Sequence, residues 1–88
     1  MNTFPLKISS PEGDLLNADV VKVSLRAAGG DMAVMAGHIP FVSPVKAGEI
    51  RIEFEDGDEK TAVTDGGILT VSAEKAVLLS GCFVWKED

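Results

Sequence analysis

The sequence predicts an all-β fold, an antiparallel β-sandwich of two sheets of short strands. Three observations predict it. Apolar residues recur at every second position in several short runs. Clusters of Gly, Asp and Pro punctuate those runs. No segment carries three turns of apolar residues at helical spacing, and the nearest helical candidate, residues 31–36, is short and bounded by Gly29-Gly30 and Gly37.

The elements follow in order. Phe4, Leu6 and Ile8 alternate with Pro5, Lys7 and Ser9, so an N-terminal strand turns them to one side. Pro11-Glu12-Gly13-Asp14 reads as a turn. Val21, Val23 and Leu25 alternate with Lys22, Ser24 and Arg26. Ile50, Ile52 and Phe54 alternate with Glu49, Arg51, Glu53 and Glu55, the clearest half-buried strand of the chain. A one-residue slip there would bury three carboxylates and a guanidinium, so its register is strongly fixed. Asp56-Gly57-Asp58 is a hairpin signal leading to a strand over residues 60–64, and Asp65-Gly66-Gly67 separates that strand from Ile68-Leu69-Thr70-Val71. Ala76-Val77-Leu78-Leu79 is continuously apolar, the pattern of a strand buried on both faces. Phe83 and Trp85 admit two readings, a last strand capping the core or part of a docking patch.

Composition narrows the function. With 88 residues, 45% hydrophobic and 25% charged, the chain reads as one soluble folded domain over residues 1–88. A domain this size buries only roughly 60–65% of its unfolded surface, which suits docking onto a larger partner better than enclosing a substrate. The net charge of −6 opposes nucleic-acid binding, which needs Lys and Arg to displace counterions from phosphates. Cys82 is the sole cysteine, so no intramolecular disulfide is possible. The first residues lack the charged and apolar regions of a signal peptide, and no apolar run approaches the ~20 residues needed to cross a bilayer.

No catalytic motif is present: no Gly-x-Ser-x-Gly, no phosphate-cradling Gly-x-x-x-x-Gly-Lys, no His-Glu-x-x-His. His38 is the only histidine, and a structural zinc site usually takes four protein ligands, so neither a metal nor any other cofactor is expected. The acidic run from Glu53 to Glu59 reads as the solvated side of a hairpin whose charges discourage edge-to-edge pairing.

Several segments carry a resemblance. Phe4-Pro5-Leu6-Lys7-Ile8 is followed by Ser10-Pro11-Glu12-Gly13, then by Val21-Lys22-Val23-Ser24-Leu25. A Gly-rich stretch, Gly30-Asp31-Met32-Ala33-Val34-Met35-Ala36, ends in Gly37-His38-Ile39-Pro40. Val45-Lys46-Ala47-Gly48-Glu49-Ile50-Arg51-Ile52, Gly66-Gly67-Ile68-Leu69-Thr70-Val71 and Val77-Leu78-Leu79 complete the series. In this order and spacing they resemble the epsilon subunits of F-type ATP synthases, called delta in mitochondria. The similarity covers essentially the whole chain. It departs from the family pattern at Arg26-Ala27-Ala28-Gly29, where a Pro-Gly turn is usual, and at Ala33 and Ala36. These departures bear on the shape of the Gly-rich loop more than on the fold.

The resemblance implies a non-catalytic central-stalk subunit that joins the gamma subunit to the c-ring and couples ion-driven rotation to ATP synthesis. It would sit peripherally on the cytoplasmic face of the bacterial membrane, without inserting and without a small-molecule substrate. The two C-terminal helices that in most members can inhibit hydrolysis, and in some also bind ATP, have no counterpart in this sequence. Residue by residue, the resemblance places Ser10, His38 and Ser43 toward the gamma subunit, and Asp31 and Met32 toward the c-ring. Plainer readings stand beside these: turn hydroxyls for Ser10 and Ser43, a loop histidine bonded to backbone, a solvated carboxylate, a methionine filling core space. The alternative from another class is a free-standing β-sandwich adaptor or peptide-binding module.

Overall fold

The computed structural model describes residues 2–37 and 39–86, and His38 lies outside the described residues. Ten strands follow in chain order: β1 (Phe4–Ser10), β2 (Gly13–Val20), β3 (Lys22–Ala27), β4 (Gly30–Met35), β5 (Phe41–Val45), β6 (Gly48–Glu53), β7 (Glu59–Thr64), β8 (Gly67–Val71), β9 (Ala76–Ser80) and β10 (Phe83–Trp85). They are hydrogen-bonded in the order β10-β7-β6-β3-β5-β8-β9-β1-β2, with β4 on β3. The all-β reading holds. The two expected sheets are two halves of one curled sheet, joined where Ala27 pairs with Val45 and Lys46 N–H donates to the Arg26 carbonyl at 2.8 Å.

The fold is not purely antiparallel. β1 runs parallel to β9, with Leu6 opposite Ala76 and Ser9 opposite Leu79. Among the described residues every other pairing is antiparallel, whether between consecutive strands joined by short turns, such as β3–β4 and β6–β7, or between strands distant in sequence, such as β5–β8 and β7–β10. β1 departs because its chain neighbour β2 takes one edge, leaving the other to a strand that arrives from the far end of the sequence.

Period-two alternation builds the core. Phe4, Leu6 and Ile8 of β1, Val23 and Leu25 of β3, and Ile50 and Ile52 of β6 are all buried, together with Val20, Val34, Val45, Leu69, Val71 and Leu78 from the other strands. The register expected for β6 is the one observed, with Glu49 and Arg51 outside. Phe54 lies just beyond β6 and packs partly against the core. Its backbone N–H donates to the Asp58 carbonyl at 2.9 Å, closing the hairpin in which Gly57 takes φ 90°.

Three strands went unread in the sequence. Residues 31–36, the nearest helical candidate and part of the stretch taken as a Gly-rich loop, mostly form β4 instead. Its ladder runs against β3 from Ala27↔Gly30 to Lys22↔Met35 across the two-residue turn Ala28-Gly29. β2 is obscured by a bulge: Ile8 faces Leu16 and Ser9 faces Asp14, so Leu15 is the extra residue and the alternation breaks. β5 contains Pro44, which cannot donate to a ladder. It is tolerated because beyond β8 the strand meets β3 only at Val45.

One buried polar chain ties two turns together. Ser80 Oγ donates to the Cys82 carbonyl at 2.8 Å, so the proton shared with Thr64 Oγ1, 2.6 Å away, comes from Thr64. Thr64 Oγ1 in turn accepts from Gly66 N–H at 3.0 Å. These hydroxyls therefore meet the cost of burial by bonding to each other and to the backbone.

Candidate docking surface

The outer faces of the two halves differ in chemistry. On β3, β6 and β7 the outward positions are mostly charged or polar, with Lys22 opposite Glu53 and Ser24 opposite Arg51. Ion pairs run across this face, Arg51 Nε to Glu59 Oε1 at 3.4 Å and Lys86 Nζ to Glu49 Oε2 at 2.6 Å. The Lys86 hydrogen bond and charge, with Arg51 adding to them, hold the Glu49 carboxyl below the usual carboxylate range. Such a face is content in water.

The outer face of β5, β8, β9 and β1 is not. The pairing Pro44↔Ile68, Ile68↔Leu79 and Leu79↔Ser9 forms a row across four strands, and Val42↔Thr70, Thr70↔Val77 and Val77↔Lys7 form the next. Val42, Ile68 and Leu79 are 67%, 50% and 54% exposed. The expectation that residues 76–79 are buried on both faces is therefore corrected: Ala76 and Leu78 point into the core, while Leu79 points out. Adjacent apolar pairs, Ile68-Leu69 and Leu78-Leu79, put one member on each face because successive side chains alternate. At one end of the row a shallow cleft of about 460 Å³ opens between Ser10, Pro11, Gly67, Ile68, Leu79 and Gly81.

The sequence-expected residues fall on this geometry in two groups. Ser10 lines the cleft and shapes the β1–β2 turn, accepting from Glu12 N–H at 3.2 Å and donating to the Gly13 carbonyl at 3.4 Å. Ser43 is not a turn residue. It sits mid-strand in β5 between the outward Val42 and Pro44, half-buried, donating to the Pro44 carbonyl at 3.1 Å. Ser10 thus stands at one end of the apolar row, whereas Ser43, paired with the buried Leu69, turns to the face opposite Val42 and Pro44.

Asp31 and Met32 lie elsewhere, at the start of β4. The Asp31 side chain is 85% exposed and faces its cross-strand partner, Arg26 Nε, at 3.6 Å. Met32 turns inward opposite Leu25 and packs partly against the core. Nothing is described for His38. Among the described residues no group of three or more His, Cys, Asp or Glu is arranged to hold a metal ion, and no helix is long and apolar enough to cross a membrane.

Sequence reasoning overlooked the outward apolar residues themselves. Their signal was present as apolar residues at the off-phase positions of β5, β8 and β9, which a surface strand facing water would fill with polar side chains.

Comparison with known proteins agrees with this architecture. Residues 3–86 match the family described as ATP synthase, Delta/Epsilon chain, beta-sandwich domain. The ATP synthase epsilon chain of Bacillus velezensis is 38% identical over 80 residues, covering 91% of this chain and 60% of the relative. The sodium-ion-specific ATP synthase epsilon chain of Propionigenium modestum is 40% identical over 80 residues, covering 91% and 58%. This chain therefore spans about 60% of the length of such relatives. Among solved structures, a chain of the Euglena gracilis mitochondrial ATP synthase OSCP/F1/c-ring assembly superimposes with a TM-score of 0.89 at 23% identity, covering 98% of this chain and 56% of that one. With its register, its curled sheet and its match over residues 3–86, the chain belongs to the ATP synthase delta/epsilon family through that family's β-sandwich domain.

Proposed function

We propose that this chain is a non-catalytic central-stalk element that docks the gamma subunit through the outer face of β5, β8, β9 and β1. The observation that carries the reading is the contrast between the two outer faces. A row of Pro44, Ile68 and Leu79 next to Val42 is costly to leave in water, whereas the opposite half is laced with charge. Exposed apolar rows of this kind mark a surface that another protein covers. Ser10, at the β1 end of the row, supplies a hydroxyl at the rim of such an interface, while Ser43 supports it from the other face of β5, between Val42 and Pro44.

The exposed Asp31 at the β3–β4 hairpin is the contact toward the c-ring, and Met32 beside it supports the hairpin from inside. A rotor joint needs a broad contact and a stiff body, and a curled sheet with a strongly fixed register supplies the stiffness. The chain then associates with the membrane only through its partners, on the cytoplasmic face of a bacterial membrane. It turns with the ring and carries no chemistry of its own. The sodium-specific relative, at 40% identity, supports a role that does not depend on the coupling ion.

Size-exclusion chromatography with the gamma subunit of the same organism tests the reading. A stoichiometric complex is expected, lost in the double variant Ile68→Ser/Leu79→Ser while the melting temperature stays within a few degrees. Separate elution of the unaltered chain across a range of salt overturns it in favour of a free-standing adaptor.

A further inference from the structure

We propose that β10 is a strap that opens locally while the rest of the sandwich stays folded, and that Lys60 and Lys86 set how often it opens. β10 is the terminal strand of the sheet path and, among the described residues, pairs with β7 at only three positions, Phe83↔Thr64, Val84↔Val63 and Trp85↔Ala62. It contributes none of the buried core residues; those come from β1 to β9. Phe83 and Trp85 pack on that core only in part, edge to face with ring centroids 5.1 Å apart. An element with few buried contacts and a solvent-facing ladder belongs to the low-stability end of a protein.

What holds it down is mostly cationic. Lys60 Nζ stands 5.6 Å from the Trp85 ring centroid and 6.0 Å from that of Phe54, bridging β10 to the β6–β7 hairpin. Lys86 is fixed by its N–H donating to the Thr61 carbonyl at 2.9 Å and by its ammonium on Glu49. At the other end Cys82 N–H donates to Asp65 Oδ1 at 2.9 Å, and Asp65 N–H donates to the Cys82 carbonyl at 3.2 Å. This second tether belongs to the β9–β10 turn and marks where the strap hinges. When the strap lifts, the edge of β7 and the Trp85 ring become open to solvent together.

Native-state hydrogen exchange on the unaltered chain tests the proposal. The amides of β10 and the Lys86 amide are expected to exchange at least about tenfold faster, relative to their unfolded rates, than those of β8 and β9. Lys60→Met, which keeps the apolar stem and removes the charge, is expected to speed the β10 amides a further ~2- to 5-fold and to leave β8 and β9 unchanged. Trp85, the only tryptophan, is expected to become more accessible to acrylamide in the same variant. Exchange of β10 in step with β8 and β9 overturns the strap. An unchanged β10 in Lys60→Met, or equal acceleration everywhere, overturns the role given to Lys60. Neither outcome bears on gamma docking, which uses the other half of the sheet.

Discussion

A methyl group added at position 67 should be among the least tolerated single changes in this protein. An ideal Cβ on Gly67 would lie 1.9 Å from the Leu79 carbonyl oxygen, 2.9 Å from its carbonyl carbon and 3.1 Å from Ser80 Cα. All three are backbone, so no side chain can swing aside. The β8–β9 ladder must open by more than an ångström at the Gly67↔Ser80 pair. That movement disturbs Ser80, whose hydroxyl links Thr64 to the Cys82 carbonyl. Overpacking against a fixed neighbour costs about 1–3 kcal/mol, and each buried hydrogen bond weakened adds about 1 kcal/mol. The total is about 3 kcal/mol, a large share of the roughly 4–13 kcal/mol available to a chain of this length. For a domain of this size that lowers Tm by about 12–24 °C. Thermal unfolding followed by far-ultraviolet circular dichroism measures it directly. Gly29→Ala is the control: its Cβ meets nothing within 4 Å and its backbone is not in the left-handed region, so Tm should hold or rise slightly. A Gly67→Ala protein melting within about 3 °C of the unaltered chain would refute the close-approach argument.

Two further outcomes follow from the charged groups. Asp31→Lys, at a side chain 85% exposed, should leave Tm unchanged while weakening association with the c-ring by up to about fivefold at low salt; an association whose rate and salt dependence do not move counts against the assignment. For Glu49 the folded-state pKa is lowered by the Lys86 hydrogen bond and charge and by Arg51. Its contribution is therefore complete above the ordinary value of about 4.3 and is lost as pH falls through the lowered one. Carboxyl-carbon NMR should give a Glu49 midpoint below that ordinary value, rising toward it in Lys86→Met. A midpoint at or above it in the unaltered chain would remove the ion pair from the account.

Legibility in the sequence followed how local the deciding forces are. β6 was readable because Ile50 and Ile52 alternate with charged residues on a strand that is buried on one face only. The Asp56-Gly57-Asp58 hairpin was readable because its turn is made by those residues, Asp56 Oδ1 accepting from Asp58 N–H at 2.9 Å. β2 and β5 were hidden by a bulge at Leu15 and by Pro44, each harmless only because of which edge of the strand it occupies. β4 was hidden because Ala33 and Met35 face water and leave only Met32 and Val34 to show the period. The run at residues 76–79 reads as buried on both faces, although Leu79 points outward. A run of apolar letters alone does not tell a strand buried on both faces from one whose outer apolar side chains, such as Leu79 here, stand exposed. Of the expected partner residues, Ser10 announced its turn through Pro11 and Gly13, whereas the place of Ser43 depends on the β5–β8 register, which no local pattern encodes.

The parallel pairing of β1 with β9 has a consequence for how the chain is made. Leu6 meets Ala76 about seventy positions later, so β1 finds its second neighbour only after those intervening residues have been synthesised. At about 5–20 residues per second, that interval is roughly 4–14 s. During it the β1–β2 hairpin can form from neighbours in sequence, but Phe4, Leu6 and Ile8 have no core to enter, and one edge of β1 offers its N–H and C=O groups to any passing strand. Within this domain β1 is thus made before the strand that secures its second edge, and the nascent domain is most open to aggregation along that edge of β1.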